Sequence, residues 1–195
     1  KFYKKKCIYI SSISTDSKNK SYYSLLKLKL ESFSSRNHFT IIRPGMVWDK
    51  KPKSWFKEVD NFAKYFILFF PMLGDGSKPL YTVELNQFMK ILFTIAENKK
   101  GKYVVHDNKI YNFVKIFRFC LKRYNKKGII ISIPLVLVYS FAKFLNLIKI
   151  INNQTYDSLI SYKYSSYKKF NNFKVIKTTK NFEEYSKIHR NNYLN

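Results

Sequence analysis

Short apolar runs closed by polar turns alternate along the chain with stretches in which apolar residues recur every three or four positions. Those two periods separate strands from amphipathic helices. The first run, Cys7-Ile8-Tyr9-Ile10, stops at Ser11-Ser12 and predicts a strand. A polar loop over 14–20 follows, and Ser21 is placed to cap a helix whose apolar positions are Tyr22, Leu25, Leu26 and Leu30. Residues 39–42 predict a second strand, running into Arg43-Pro44. A helix is expected over 54–67, with Trp55, Val59, Phe62, Ala63 and Phe66 on its apolar side. The dense apolar run 66–73 is broken by Pro71, and Gly74-Asp75-Gly76-Ser77 has the composition of a turn.

The alternation continues to the end of the chain. A strand over 80–83 precedes a helix over 84–98, and a strand over 102–106 precedes a helix over 110–124 with Phe113, Val114, Phe117 and Leu121 at core spacing. Residues 129–150 are the most apolar stretch. Their length permits a membrane span. Pro134 divides them, however, into a strand over 129–133 and a helix over 135–150 that carries Lys143, each too short to span. A buried or interfacial placement is therefore expected. A helix over 155–162, a Tyr/Ser/Lys loop, a strand at Val175-Ile176 and a last helix from Asn181 complete the chain. Tyr162, Tyr164 and Tyr167 are read as part of a solvated loop rather than as a stacking platform for single strands.

Composition changes this picture little. At 195 residues and 46% apolar content the chain can bury one good core. The formal charge of +25 invites a nucleic-acid reading. Only five of the 37 basic residues are arginine, though, and the lysine excess accompanies many Asn, Ile, Tyr and Phe. That is the signature of an AT-rich coding sequence, whereas base readout and phosphate forks favour Arg. No specific nucleic-acid partner is expected, and a loose attraction to acidic surfaces remains. Cys7 and Cys120 lack CxxC spacing, and His38, His106 and His189 are scattered, so neither a disulfide framework nor a metal site is expected. A reducing cytoplasm fits, with a peripheral position at the inner membrane surface as the alternative.

Tyr-x-x-x-Lys occurs four times, at Tyr23/Lys27, Tyr111/Lys115, Tyr139/Lys143 and Tyr164/Lys168. Only the first lies between a strand ending in Ser-Ser and a strand ending in Arg-Pro. Together with Ile10-Ser11-Ser12, Glu31, Ile42-Arg43-Pro44-Gly45-Met46-Val47 and Pro71-Met72-Leu73-Gly74-Asp75-Gly76, that order resembles the extended or atypical branch of the short-chain dehydrogenase/reductase superfamily. Within it, the match is to the NAD-dependent epimerase/dehydratase group that acts on nucleotide sugars. Val83-Glu84-Leu85-Asn86 stands where such proteins often have Val-x-x-Asp, with Asn86 replacing the Asp.

The resemblance implies an α/β fold: the C-terminal part of a Rossmann-like parallel sheet plus a small, mostly helical substrate-binding subdomain. Residues 1–50 would belong to the NAD-binding domain, and 51–195 to the substrate subdomain with returning sheet elements. It implies NAD or NADP as cofactor and a nucleotide sugar as substrate, with surface polysaccharide assembly as the expected setting. Tyr23 would be the acid/base and Lys27 its electrostatic and ribose partner. Ser12 would be the polarising donor, with Ser11 as fallback. Pro44 would open the loop along the nicotinamide, and Arg43 would lie on the substrate side. The glycine-rich phosphate turn of such folds is not in this sequence. The chain is thus expected to be the C-terminal portion of a longer enzyme, with an exposed apolar edge at 7–11, marginal stability alone, and need of its other half or of a homo-oligomer. The spacing from Ser12 to Tyr23 suits the atypical branch, where some members are scaffolds rather than catalysts. A non-catalytic binding protein of the same fold, and a basic nucleic-acid- or membrane-surface-binding protein, are the alternatives.

Overall fold

The computed structural model describes residues 7–16, 20–51, 54–65, 69–98, 100–147 and 170–186. Four strands make one parallel sheet in the order β1 (Ile8–Ile10), β2 (Thr40–Pro44), β7 (Lys102–Asp107) and β10 (Lys174–Thr178). All five residues of β2 are buried, as expected of an inner strand covered on both faces. Its alternation sends Ile42 to one face and Arg43 to the other. On the Ile42 side, Val83, Val105 and Tyr103 pack with Phe88 and Ile95 of α3 (Leu85–Asn98). On the Arg43 side lies α1 (Tyr22–Arg36). The α/β class with a parallel sheet is as the resemblance implies.

The rest of the chain builds α2 (Ser54–Tyr65), α4 (Phe113–Arg123) and α5 (Leu135–Leu147) around three strand pairs. β3 (Met46–Trp48) runs parallel to β6 (Thr82–Glu84), β4 (Phe69–Leu73) runs parallel to β9 (Ile129–Ile133), and β5 (Pro79–Leu80) runs antiparallel to β8 (Tyr111–Asn112). The core of this part gathers Trp48, Phe56, Phe117, Cys120 and Leu121 around Phe182 and Tyr185 of a closing 3-10 turn (Phe182–Ser186). Burial pushes the Cys120 thiol up to about 12, with Asp60 adding to the effect. An ion pair pins α2 to α4: Asp60 accepts from Arg123 at 2.8 Å and from the Tyr124 hydroxyl at 2.6 Å.

Several expectations change. Tyr22, Leu25, Leu26 and Leu30 of α1 are exposed, and the residues it buries are Ser24, Glu31 and Ser34. The reason is Arg43: a buried guanidinium on the facing strand requires acceptors, so α1 turns its polar side inward. The expected strand over 80–83 divides at Tyr81 because its halves serve different partners, β8 and β3. The helix expected from 110 starts at Phe113, since Asn112 is the cap, its side chain accepting from the Lys115 amide at 2.9 Å. Pro71 lies within β4 rather than breaking it, which a two-stranded pair tolerates because both strands are edges. Of the last helix, expected from Asn181, the described residues form a short 3-10 turn, and those after Ser186 lie outside the described residues. Phe66, the end of the helix beyond Leu147, the helix over 155–162 and Tyr162, Tyr164 and Tyr167 lie outside the described residues, as does the side chain of Trp55.

Gly45 joins the large sheet to β3. Its amide donates to the Val105 carbonyl at 2.8 Å, while the next amide, of Met46, donates to the Tyr81 carbonyl at 2.6 Å. A Cβ at 45 would lie 2.7 Å from that same Tyr81 oxygen. Because the obstacle is backbone, Gly45→Ala must part β3 from β6. It is expected to cost about 2–3 kcal/mol in urea unfolding, whereas a loss under half that would mean the two strands separate freely.

Candidate functional site

In open parallel sheets the carboxyl ends of the strands are where ligands bind. Here those ends carry Ser11-Ser12 after β1, Pro44 closing β2, His106-Asp107 closing β7 and Thr178 closing β10. The Tyr-x-x-x-Lys helix, α1, starts beside the first of them. Ser21 caps it, its hydroxyl accepting from the Ser24 amide at 3.2 Å.

Tyr23 and Lys27 are four residues apart and share a face. The Lys27 ammonium lies 5.7 Å from the Tyr23 ring centroid and 5.3 Å from that of Tyr9. It donates to the Ile10 carbonyl at 3.0 Å, which ties the helix to the end of β1. The Tyr23 ring is half exposed, at 51%. Tyr9, which sequence reasoning passed over as a strand residue, completes a cluster of two phenols about one ammonium. Burial raises the Tyr9 phenol above its ordinary value, and the neighbouring Glu31 and Tyr23 add to this. Its alternation with Ile10 along β1 was the available signal.

Ser12 is partly buried and bonded locally. Its hydroxyl accepts from the Ser14 amide at 3.2 Å and the Ser14 hydroxyl at 2.9 Å, and its carbonyl accepts from the Thr15 hydroxyl at 2.7 Å. It thereby starts a 3-10 turn, Ile13–Asp16. A serine hydroxyl that accepts still has its own proton to donate. Ser11 is buried, its amide bonded to the Ile42 carbonyl at 2.7 Å. Pro44 is buried in register with Val105.

Arg43, expected on the substrate side, is instead held inside. Nε and Nη2 donate to the two Glu31 oxygens at 2.8 and 2.6 Å, and Nη1 donates to Asp16 at 2.7 Å. Phe173 covers the guanidinium, its ring centroid 4.0 Å away. Burial works against the charge, but the two carboxylates outweigh it and hold Arg43 above its ordinary value. The signal for Glu31 was its position one turn beyond Lys27. Asp16, 27 residues away from Arg43, gave none.

Asp107 is fully buried at the end of β7 and was also missed. Oδ2 accepts from Trp48 Nε1 at 3.0 Å and the Thr82 hydroxyl at 2.6 Å, and Oδ1 accepts from the Thr178 hydroxyl at 2.8 Å. Burial raises its carboxyl, against those three bonds. Beside it His106 is bonded through Nδ1 to the Asp107 carbonyl at 2.6 Å and packs edge-on to Tyr81, 5.0 Å between ring centroids. Burial lowers the His106 imidazole. The Val-x-x-Asp position resolves differently from the resemblance: Glu84, not Asn86, caps α3 by accepting from the Gln87 amide at 2.9 Å, and Asn86 donates to Glu84 at 3.1 Å. Among the described residues no group of three His, Cys, Asp or Glu is placed to hold a metal, and Cys7 and Cys120 are not joined.

No family model matches the sequence, and no curated protein matches it. The fold does match solved structures. The dTDP-4-dehydrorhamnose reductase of Bacillus anthracis, in complex with NADP, superposes with a TM-score of 0.59 at 12% identity, over 94% of this chain and 64% of its own. The dTDP-glucose 4,6-dehydratase of the same organism, in complex with NAD, gives 0.58 at 12% identity, over 66% of this chain and 49% of its own. The UDP-glucose 4-epimerase of Thermus thermophilus, complexed with NAD, gives 0.51 at 11% identity, over 67% and 51%. The fold is thus shared with these three enzymes, and the chain spans about half to two thirds of their length.

Two measurements test this account of the site. Arg43→Met leaves Glu31 and Asp16 buried without their cation, so it is expected to cost about 3–5 kcal/mol, with part recovered when Glu31→Gln is added; no recovery would mean the pair is incidental. For His106 the folded value lies below the unfolded one of about 6.5. The unfolded chain therefore takes up the proton first, and stability present above that pH is lost as pH falls through the lowered value. The urea midpoint of the wild type should drop between neutral pH and about pH 5 more than that of His106→Asn, and parallel curves would contradict the assignment.

Proposed function

We propose that this chain carries the proton-transfer part of an NAD(P)-dependent oxidoreductase acting on a nucleotide sugar, by epimerisation, dehydration or reduction. The observation that supports it best is the pairing of Tyr23 with Lys27 beside the carboxyl end of β1, in a fold shared with nucleotide-sugar enzymes solved with NAD or NADP. In this reading the protein works in the cytoplasm, supplies surface polysaccharide assembly, and meets a membrane, if at all, at its inner surface. Among the described residues no helix is long and apolar enough to cross one.

A bound nicotinamide would supply the hydride acceptor or donor. The donor set at the site fits the ribose and nicotinamide end of such a cofactor, because an ammonium stands beside a half-exposed phenol. Free tyrosine, with a pKa of about 10, is a poor base at neutral pH. Tyr23 takes the proton of the reacting sugar hydroxyl and returns it later, with the Lys27 ammonium beside its ring. Lys27 also holds the cofactor ribose. The Ser12 O–H donates to the reacting oxygen, and Pro44, at the carboxyl end of β2, lines the nicotinamide. Arg43 acts indirectly, by fixing α1 to β2 through Glu31. The glycine-rich phosphate turn is taken to come from a segment outside this sequence, in the same polypeptide or a complementing one.

A second reading, a binding or scaffold protein of the same fold, is favoured by the internal engagement of Ser12 and Arg43. The two are separated with protein purified from its own cells, its intact mass recorded and its turnover of UDP- and dTDP-sugars followed by nicotinamide absorbance. The enzyme reading expects Tyr23→Phe to lose about 10²–10⁴-fold in turnover, with NAD affinity retained. Persistent turnover in that variant would remove Tyr23 from the mechanism, and NAD binding without turnover by the wild type would favour the scaffold.

A further inference from the structure

The stretch from α4 through β9 to α5 has no role in the chemistry above, and its charge and polarity are lopsided. From 108 to 156 the sequence has nine Lys or Arg and no acidic residue. On α4, Lys115, Arg118 and Lys122 are exposed at spacings of three and four, one row on the helix surface. At the end of that helix, Arg118, Lys122, Lys126 and Lys127 line a cavity of about 350 Å³ together with Leu121 and Gly128. No carboxylate lines it. Lys126 also donates to the Lys64 carbonyl, which anchors that rim to α2.

Directly after Gly128 the chain turns apolar and stays exposed. Ile129 and Ile131 of β9 are 59% and 47% exposed. In α5, Val136, Leu137, Phe144 and Leu147 are 70%, 62%, 55% and 79% exposed, while Ala142 is buried. With Ser140 and Lys143, also exposed, these positions fall within about a third of the helix circumference at 100° per residue. A solvent-facing stripe of this kind, interrupted by one Ser and one Lys, marks an interaction surface rather than chance exposure.

We propose that this stretch docks the protein on an anionic lipid surface, with phosphate headgroups in the cationic cavity of α4 and the apolar side chains of β9 and α5 entering the headgroup–acyl boundary. The inference deepens the inner-surface element of the proposed function and uses none of its catalytic residues. Three observations select this occupant. The cations call for an anion, and the apolar stripe next to them along the chain calls for a non-aqueous phase; anionic lipid supplies both. A second copy placed by a two-fold axis would set the same cations against one another. A nucleic acid would satisfy the cavity but leave Val136, Leu137, Phe144 and Leu147 in water. Lys143 is compatible with insertion, since its long stem lets the ammonium reach the headgroups. Over its described residues α5 is 13 residues long, too short to span, so the contact proposed is one on the membrane surface.

The test is co-sedimentation of the full chain with vesicles of phosphatidylcholine alone, and of phosphatidylcholine and phosphatidylglycerol in equal parts. Binding is expected to the mixed vesicles at least about tenfold above the neutral ones, and to weaken in about 1 M salt, where the screening length is about 3 Å. Neutralising Arg118, Lys122 and Lys127 to Gln should lower it by roughly fivefold per cation. Val136→Ser with Phe144→Ser, both at exposed positions, should lower it without changing the far-ultraviolet circular dichroism. Equal binding to both vesicle types would overturn the proposal. So would full displacement by a single-stranded oligonucleotide with no effect of the α5 variant, which would make the cavity a nucleic-acid site. Turnover of nucleotide sugars is read separately, so failure here leaves the catalytic reading standing, and the reverse.

Discussion

One buried carboxylate holds the two parts of this molecule in register. Asp107, at the end of β7, accepts from Trp48 on β3, Thr82 on β6 and Thr178 on β10. Three elements far apart in the chain are thereby fixed to one atom pair. An indole N–H can only donate, so the Trp48 bond demands an acceptor at this point. Removing any one partner from so buried a site leaves a polar group without solvent, which is costlier than the mean value of a hydrogen bond. Trp48 is at the same time the edge of the aromatic core, packed at about right angles to Phe182 and Tyr185. The junction between sheet and smaller core therefore has both a polar pin and an apolar one.

Arg43 does for α1 what Asp107 does for β3 and β6. A guanidinium on an inner strand would be unaffordable alone, and its two-pronged bond to Glu31 with a third to Asp16 offsets the desolvation. The consequence reaches the candidate site. Glu31 and Lys27 are one turn apart on α1, so fixing Glu31 against β2 fixes the rotation of the helix, and with it the approach of Lys27 to Ile10 and of Tyr23 to Lys27. The polar side of α1 is spent on this contact. Its leucines are turned outward as a result.

Much of the local structure was legible in the residue pattern. The strand at Ile8–Ile10, the strand leading into Pro44, the break at Pro134 between β9 and α5, and the periods of α3 and α4 all follow from apolar spacing and turn residues. The proximity of Tyr23 and Lys27 was legible too, since an interval of four residues on a helix brings side chains together whatever lies beyond it. The N-caps were legible in part: Ser21 was read, while Asn112 and Glu84 were hidden inside longer apolar expectations.

What stayed hidden has one physical cause. Which face of α1 is buried was misread because apolar spacing says where a stripe lies, not that it must be covered. The deciding partner, Arg43, belongs to another element. The Asp107 bonds link residues 59, 25 and 71 positions apart, and no local rule couples such distances. The sequence by itself determined the order of strands and helices and the pairing of Tyr23 with Lys27, because those depend on interactions within a few residues. Only the tertiary structure decided that Arg43 is internal, that Asp107 is the junction, and that the apolar sides of α1 and α5 face outward. Each of these depends on which polar groups were buried first and had to be satisfied, a condition set by the whole chain at once.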